Sequence, residues 1–271
     1  MLDHSYVPQA PLSNFVHSLW LYRSDEPQSV RERILPSGTT ELVISLRDDG
    51  LRISDAKERT GSKFFRRSLL SGPRCEYFDA EMRAPVYKVG VHFKPGGAYP
   101  FLGVPANELL NSFESLDAIW GIHGTNLQDR LGEAITSGYK FRILENFLLV
   151  QLKRSLPLNP AVAFVLKELQ SASNQRPISQ ISEQIGISAK HFIQIFTSEV
   201  GLTPKLFCRI QRFQRVVKMA ERSQTVKWGD LGLVCGYYDQ AHLIHDFRAF
   251  SGCTPIDYLK RKTGHLNHLA M

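Results

Sequence analysis

His191-Phe192-Ile193-Gln194-Ile195-Phe196, followed after four residues by Gly201, after one more by Thr203-Pro204 and after two more by Phe207, occurs twice in this chain. The second copy is His242-Leu243-Ile244-His245-Asp246-Phe247, with Gly252, Thr254-Pro255 and Tyr258 at the same offsets. Self-similarity at a spacing of about 50 residues marks a duplicated supersecondary unit. Each copy reads as an amphipathic helix that buries Phe192, Ile195, Phe196 and Val200, or Leu243, Phe247 and Phe250. Gly201 and Gly252 end these helices, because glycine accepts the left-handed conformation of a C-cap. Thr-Pro then starts the next helix: the threonine oxygen accepts from a free N–H, and proline lacks a donor that would be unpaired there anyway.

A shorter helix is expected ahead of each long one, over residues 179–185 with Ile181 and Ile185, and over residues 228–235 with Leu231 and Val234. Gly186-Ile187-Ser188 and Gly236-Tyr237-Tyr238-Asp239 join the short helices to the long ones, with Ser188 and Asp239 as N-caps. Two helix-turn-helix units result. Between them, residues 205–222 form a linker helix whose stripe of Leu206, Ile210, Phe213, Val217 and Ala220 packs, while Arg209, Arg212, Arg215 and Lys218 face elsewhere. A helix of about 18 residues spans roughly 27 Å, enough to set two readers in successive major grooves about 34 Å apart.

Charge follows the same division. From Pro160 onward the chain has 14 Lys and Arg against 8 Asp and Glu, whereas residues 1–159 hold 19 against 18. A cationic C-terminal part beside a nearly neutral one suits a polyanion-binding module joined to something with another task. With 271 residues, 43% hydrophobic and 22% charged, the chain fits two soluble domains and excludes disordered and collagen-like classes. No stretch approaches the roughly 20 apolar residues of a spanning helix, and Met1-Leu2-Asp3-His4 lacks the order of a secretion signal, so the cytoplasm is the expected location.

The first 125 or so residues read as strands. Examples are the alternation of His17, Leu19 and Leu21 with Ser18, Trp20 and Tyr22, and that of Val89, Val91 and Phe93 with Lys88, Gly90 and His92, halted by Pro95-Gly96-Gly97. Residues 41–46 and 51–54, separated by Asp49-Gly50, are expected to form a hairpin. From Asn126, as N-cap, a helix with Leu127, Leu131 and Ile135 is expected, then another over residues 141–152. Ser155 to Pro160 breaks the pattern, and Asn159 with Pro160 opens a helix burying Val162, Val165, Leu166 and Leu169. The expected architecture is α+β: a strand-rich N-terminal domain followed by helices (residues 1–155), then an all-α domain with two helix-turn-helix units and a linker helix (residues 160–265).

Enzyme chemistry finds little support. There is no G-x-S-x-G, H-E-x-x-H, Walker loop or G-x-G-x-x-G after a strand, so no catalytic residue is assigned. Cys75, Cys208, Cys235 and Cys253 contain no CxxC pair and read as free thiols, and no metal or cofactor is expected. His17 and His92 sit on strand-like segments as packing residues, and Trp20, Tyr22, Tyr87 and Phe93 are candidates for an aromatic effector pocket. The competing reading is an enzyme or metabolite-binding protein whose helical domain is mainly structural.

From about Asn159 to Thr263 the chain resembles the DNA-binding domain of the AraC/XylS family of bacterial transcription regulators. The resemblance rests on Gly186-Ile187-Ser188, on Phe196 with Gly201 and Thr203-Pro204, and on Gly236-Tyr237-Tyr238-Asp239-Gln240 with His242-Leu243, Phe247-Arg248, Gly252, Thr254-Pro255 and Tyr258. The segments Leu35-Pro36-Ser37-Gly38-Thr39-Thr40-Glu41-Leu42 and Gly90-Val91-His92-Phe93-Lys94-Pro95-Gly96-Gly97-Ala98 are similar to a regulatory domain found ahead of this module in some members. The resemblance implies sequence-specific binding to double-stranded DNA, with the second helix of each unit in the major groove. Lys190, Ile193 and Gln194 in the first unit, and Gln240, Ala241 and His245 in the second, are then the base-facing residues. Ser188, Lys205, Arg209, Asp239 and Arg248 are assigned to the DNA backbone, the Asp239 carboxylate serving as a cap. An arginine common two residues before the phenylalanine is Gln194 here in one unit and His245 in the other, which implies a different operator. The resemblance also allows RNA polymerase, a small-molecule effector of unknown identity and a second copy of the chain as partners, without a membrane.

Overall fold

The computed structural model describes residues 2–25, 30–47, 50–55, 61–83, 85–152, 158–170, 186–223 and 225–271. The N-terminal half begins with β1 (Leu2–Tyr6), β2 (Val16–Ser24), β3 (Val30–Ile34), β4 (Glu41–Ser45) and β5 (Leu51–Asp55). It continues with β6 (Ser62–Phe65), β7 (Ser68–Ser71), β8 (Phe78–Met82) and β9 (Val86–Phe93). Next come α1 (Tyr99–Leu102), a 3-10 turn at Ala106–Leu109, β10 (Phe113–Glu114), α2 (Leu116–Trp120), α3 (Ile122–Glu133) and α4 (Ser137–Leu152). The C-terminal part comprises α5 (Pro160–Gln170), α6 (Ala189–Val200), α7 (Pro204–Glu221), α8 (Trp228–Val234), α9 (Gln240–Ser251), α10 (Pro255–Arg261) and the terminal strand β11 (His268–Ala270). The α+β class and the order of strands before helices are as the sequence implies. The helix expected over residues 179–185 lies outside the described residues.

Two sheets pack in a sandwich, one ordered β1-β2-β9-β4-β7-β10 and the other β11-β3-β8-β5-β6. Neighbours on a strand point to opposite faces, and β7 shows what this sheet does with both. Leu70 joins Leu19, Leu21, Leu42, Val89 and Val91 beneath α2, α3 and α4. Leu69 instead meets Leu51, Ile53, Phe78 and Ala80 of the facing sheet. With helices on one side and a second sheet on the other, β2 and β9 are buried on both faces along most of their length.

Several expectations change. Residues 41–46 and 51–54 do not form a hairpin: β4 pairs with β7 and β9, whereas β5 pairs with β6 and β8 in the other sheet. A sandwich needs corners where the chain changes sheet, and a glycine turn such as Gly50 at φ +63° does not choose what pairs across it. Helix α3 starts at Ile122 rather than at a cap on Asn126, and Ile135 lies beyond its end, 92% exposed. Gly124 explains the earlier start, since packing on α2 is so close that a side-chain carbon there would sit 2.4 Å from Leu116 O. The buried stripe of α7 runs through Phe207, Ile210, Phe213, Val216, Val217 and Ala220, with Leu206 only at its edge. Helices α6, α8 and α9 press on this helix, which widens the stripe beyond the expected 4-3-4-3 spacing.

The two parts of the chain share surfaces. Leu35 belongs to the C-terminal core, and Gln211 Nε2 and Gln214 Nε2 of α7 donate to Ser37 O (3.3 Å) and Pro36 O (2.7 Å). Gly201 abuts Pro73 and Ala106, and Gly96 lies against Leu158, Leu166 and Val200. The chain returns at its end: β11 pairs antiparallel with β3, and His268 Nδ1 lies 2.7 Å from Glu32 Oε2.

Candidate nucleic-acid interface

The first unit is built on α6. Ser188 Oγ accepts from His191 N at 3.3 Å, fixing the N-terminus, and Gly201 closes the helix at φ +85° with its N–H on Thr197 O. Phe192 and Phe196 have no exposed surface, and Val200 almost none. The other face carries Lys190, Ile193 and Gln194, all exposed, with Ile193 at 43% although apolar. Thr203 Oγ1 caps α7 through Leu206 N, and Lys205 is exposed in its first turn.

The second unit repeats this construction on α9. Asp239 Oδ1 accepts from His242 N at 2.7 Å, so its carboxylate is used as a cap. Leu243, Phe247 and Phe250 face inward, while Gln240, Ala241, His245 and Arg248 are exposed. Gly252 ends α9 at φ +69°, and Thr254 with Asp257 forms a reciprocal capping box on α10. Hydrogen bonding to Thr254 holds the Asp257 carboxyl below the usual carboxylate range. The six side chains expected to face bases therefore lie on two capped helices and none is covered by the N-terminal part.

Arg209 has a different setting from the other expected backbone contacts. Its Nη2 is 2.6 Å from Asp246 Oδ1, and its guanidinium lies over Phe250. Asp246 is wholly buried. Its neighbours on α7 are similarly occupied: Arg212 Nη1 donates to Gly236 O and stacks on Tyr237, and Arg215 Nη2 donates to Leu169 O. The linker arginines tie the module together. Asp246 was missed by sequence reasoning, although its position supplies a signal: it falls at the i+3 place of the series Leu243, Phe247, Phe250, a carboxylate on an apolar helix face. Tyr237 is buried beside it, and that burial, with the Asp246 charge second, pushes its phenol up.

The expected aromatic effector pocket is not assembled. Trp20 and Tyr22 stand opposite Gly90 and Lys88 on the face of the sheet turned away from the helices, whereas Tyr87 and Phe93 contribute to the helix-side core. Period-2 alternation separates the pairs. His92 Nδ1 lies 3.2 Å from Glu41 Oε1. All four cysteines are free, and burial pushes the Cys208 and Cys235 thiols up. Among the described residues no three His, Cys, Asp or Glu are grouped to hold a metal ion, and no helix is long and apolar enough to cross a membrane.

Two capped helices, α6 and α9, that pack on one linker helix have the arrangement of helix-turn-helix domains. Comparison with known proteins gives the class its particulars. Residues 181–261 match the helix-turn-helix domain family and residues 4–115 match a domain of unknown function, DUF6597. The helix-turn-helix match thus lies toward the C-terminus, behind the DUF6597 match. An uncharacterized HTH-type transcriptional regulator of Haemophilus influenzae is 29% identical over 103 residues, 38% of this chain and 33% of that protein. The chain therefore spans about a third of the length of the curated relative it matches. Among solved structures, ToxT from Vibrio cholerae aligns over 89% of this chain and 97% of its own at 10% identity and TM-score 0.49. The AraC-like transcriptional activator CuxR aligns over 77% and 84% at 14% identity and TM-score 0.27.

Proposed function

We propose that this protein is a sequence-specific DNA-binding transcription regulator that acts by binding rather than by turnover. Residues 160–265 form its reading domain and residues 1–155 its regulatory domain. The observation that carries the reading is the doubled presentation of exposed residues, Lys190, Ile193 and Gln194 on α6 and Gln240, Ala241 and His245 on α9, two helices that both pack on the same linker helix. Gln pairs bidentately with adenine and Lys reaches guanine O6 or N7. Lys205 and Arg248 take phosphates, as do the backbone N–H groups at the capped helix starts, whereas Arg209 serves Asp246 first. The protein works in the cytoplasm on the nucleoid. Its contacts with Leu35, Pro36, Ser37 and Pro73 let the N-terminal part bias both units.

Genomic footprinting of the tagged full chain tests this. Two protected segments about one helical turn apart are expected, with affinity that falls steeply as salt rises. Salt-insensitive retention, or no protected fragment, would overturn it.

A further inference from the structure

A cleft of about 430 Å³ opens between α1 and the α2 and α4 helices, lined by Tyr99, Pro100, Val104, Ile119, Trp120 and Gln151 among others. Its size is in the range of small-molecule sites, about 300–1,000 Å³. Among the described residues, none that lines it is charged. An ion entering would lose hydration without gaining a counter-charge from these residues, so this lining favours an uncharged guest. The walls are rings held in place: Trp120 Nε1 donates to Phe101 O at 2.7 Å, and its indole stands edge-on to Phe147 with centroids 5.0 Å apart. The indole N–H is thus already used, and the amide of Gln151 and the hydroxyl of Tyr99 are the polar side-chain groups left to orient a guest.

One wall of this cleft also supports the first reading helix. Tyr99–Leu102 is preceded by Gly96, where a side-chain carbon would lie 3.5 Å from Val200 Cγ2 and 3.4 Å from Leu166 Cδ1. It is followed by the turn Ala106–Leu109, which runs along α6, with Ala106 O 3.0 Å from the position of a carbon on Gly201. A guest that spreads the cleft therefore presses the same segment that holds the C-terminal end of α6.

We propose that this cleft is an effector site for an uncharged aromatic molecule bearing one hydrogen-bonding group, and that occupancy shifts the seat of α6. The second half rests on the DNA-reading function above; the first does not. The probe is 6-propionyl-2-(dimethylamino)naphthalene, a neutral ketone, added to the full chain without DNA. Saturable blue-shifted emission is expected. Gln151→Ala should weaken it about tenfold, as for one lost hydrogen bond, and Val104→Phe, which fills the cleft, by at least as much. The carboxylate analogue, 6-(dimethylamino)-2-naphthoic acid, should bind at least about tenfold more weakly. Equal binding by both substituted proteins and the parent, with thermal unfolding unchanged, overturns the site, as does equal binding of the carboxylate. Saturating probe should also change affinity for a footprinted duplex in the parent and not in Val104→Phe. Probe binding with unmoved duplex affinity overturns the coupling, whereas a protein that binds probe and no duplex at all overturns the DNA reading and leaves the site standing.

Discussion

Arg209 Nη2 and Asp246 Oδ1 meet at 2.6 Å and join the linker helix α7 to α9 from within. The two ends of the pair are unequal, since the Asp246 side chain is wholly buried whereas 33% of the Arg209 side chain reaches solvent. Removing either partner of a buried pair strands the other, and the penalty depends on whether the stranded group can still reach water. Arg209→Met should therefore destabilise by about 3 kcal/mol or more, and Asp246→Leu by clearly less. Urea unfolding of the two variants and of the double variant checks this; a larger loss from Asp246→Leu would contradict the asymmetry.

The exposed faces of α6 and α9 should separate by role. Gln194→Ala and His245→Ala are each expected to change base preference at one position by about 1–3 kcal/mol. Arg248→Ala and Lys205→Ala should weaken all sequences alike and reduce the salt slope by about 1 each. Binding selections over randomised duplexes at two salt concentrations measure both quantities. Uniform losses from all four changes would refute the division.

Gly201 ends α6 at φ +85°, and a side-chain carbon there would stand 2.5 Å from Pro73 Cγ. Left-handed strain alone makes a glycine-to-alanine change unfavourable by about 1–2 kcal/mol. Gly201→Ala adds a clash with the proline ring and with Ala106 O, so its loss should exceed that bare penalty, with part of it disappearing in Pro73→Ala. Thermal unfolding of the single and double variants reads the coupling.

The terminal strand should loosen in acid. Burial alone would raise Glu32, but the hydrogen bond from His268 and the charges of His268 and His265 bring it below its usual value. Burial, then the His268 charge, lowers His265. Groups depressed by folding contribute stability that is complete above their unfolded values, about 4.3 for Glu and 6.5 for His, and lost as pH falls through the folded ones. Carboxypeptidase release of the last residues should therefore rise in two steps on acidification, starting below about pH 6.5. Glu32→Gln should remove the lower step; a pH-independent release would count against this linkage.

The chemical pattern of α6 and α9 is written locally, which is why both helices, their caps Ser188 and Asp239 and their terminating glycines could be read from residue order. Apolar spacing, a capping oxygen and a left-handed C-cap each depend on residues within a turn or two of one another. The same holds for β2 and β9 and for the helix opened by Asn159, whose Oδ1 accepts from Ala161 N. Pairing partners are not local. Residues 41–46 and 51–54 sit close in the chain yet serve different sheets, a choice made by which faces need covering. Trp20 and Phe93 likewise carry no mark of lying on opposite sides of one sheet.

Leu35-Pro36-Ser37-Gly38 and Pro95-Gly96-Gly97 stand out in the sequence, but their task is set only where they touch α7, α5 and α6. The fold class, the duplication and the exposed faces of α6 and α9 were thus determined by sequence alone, because periodicity and capping are short-range physics. The burial of Asp246 against Arg209, the return of β11 to β3 and the cleft above Gln151 were decided by tertiary structure, because each depends on surfaces far apart along the chain coming together in a shared core.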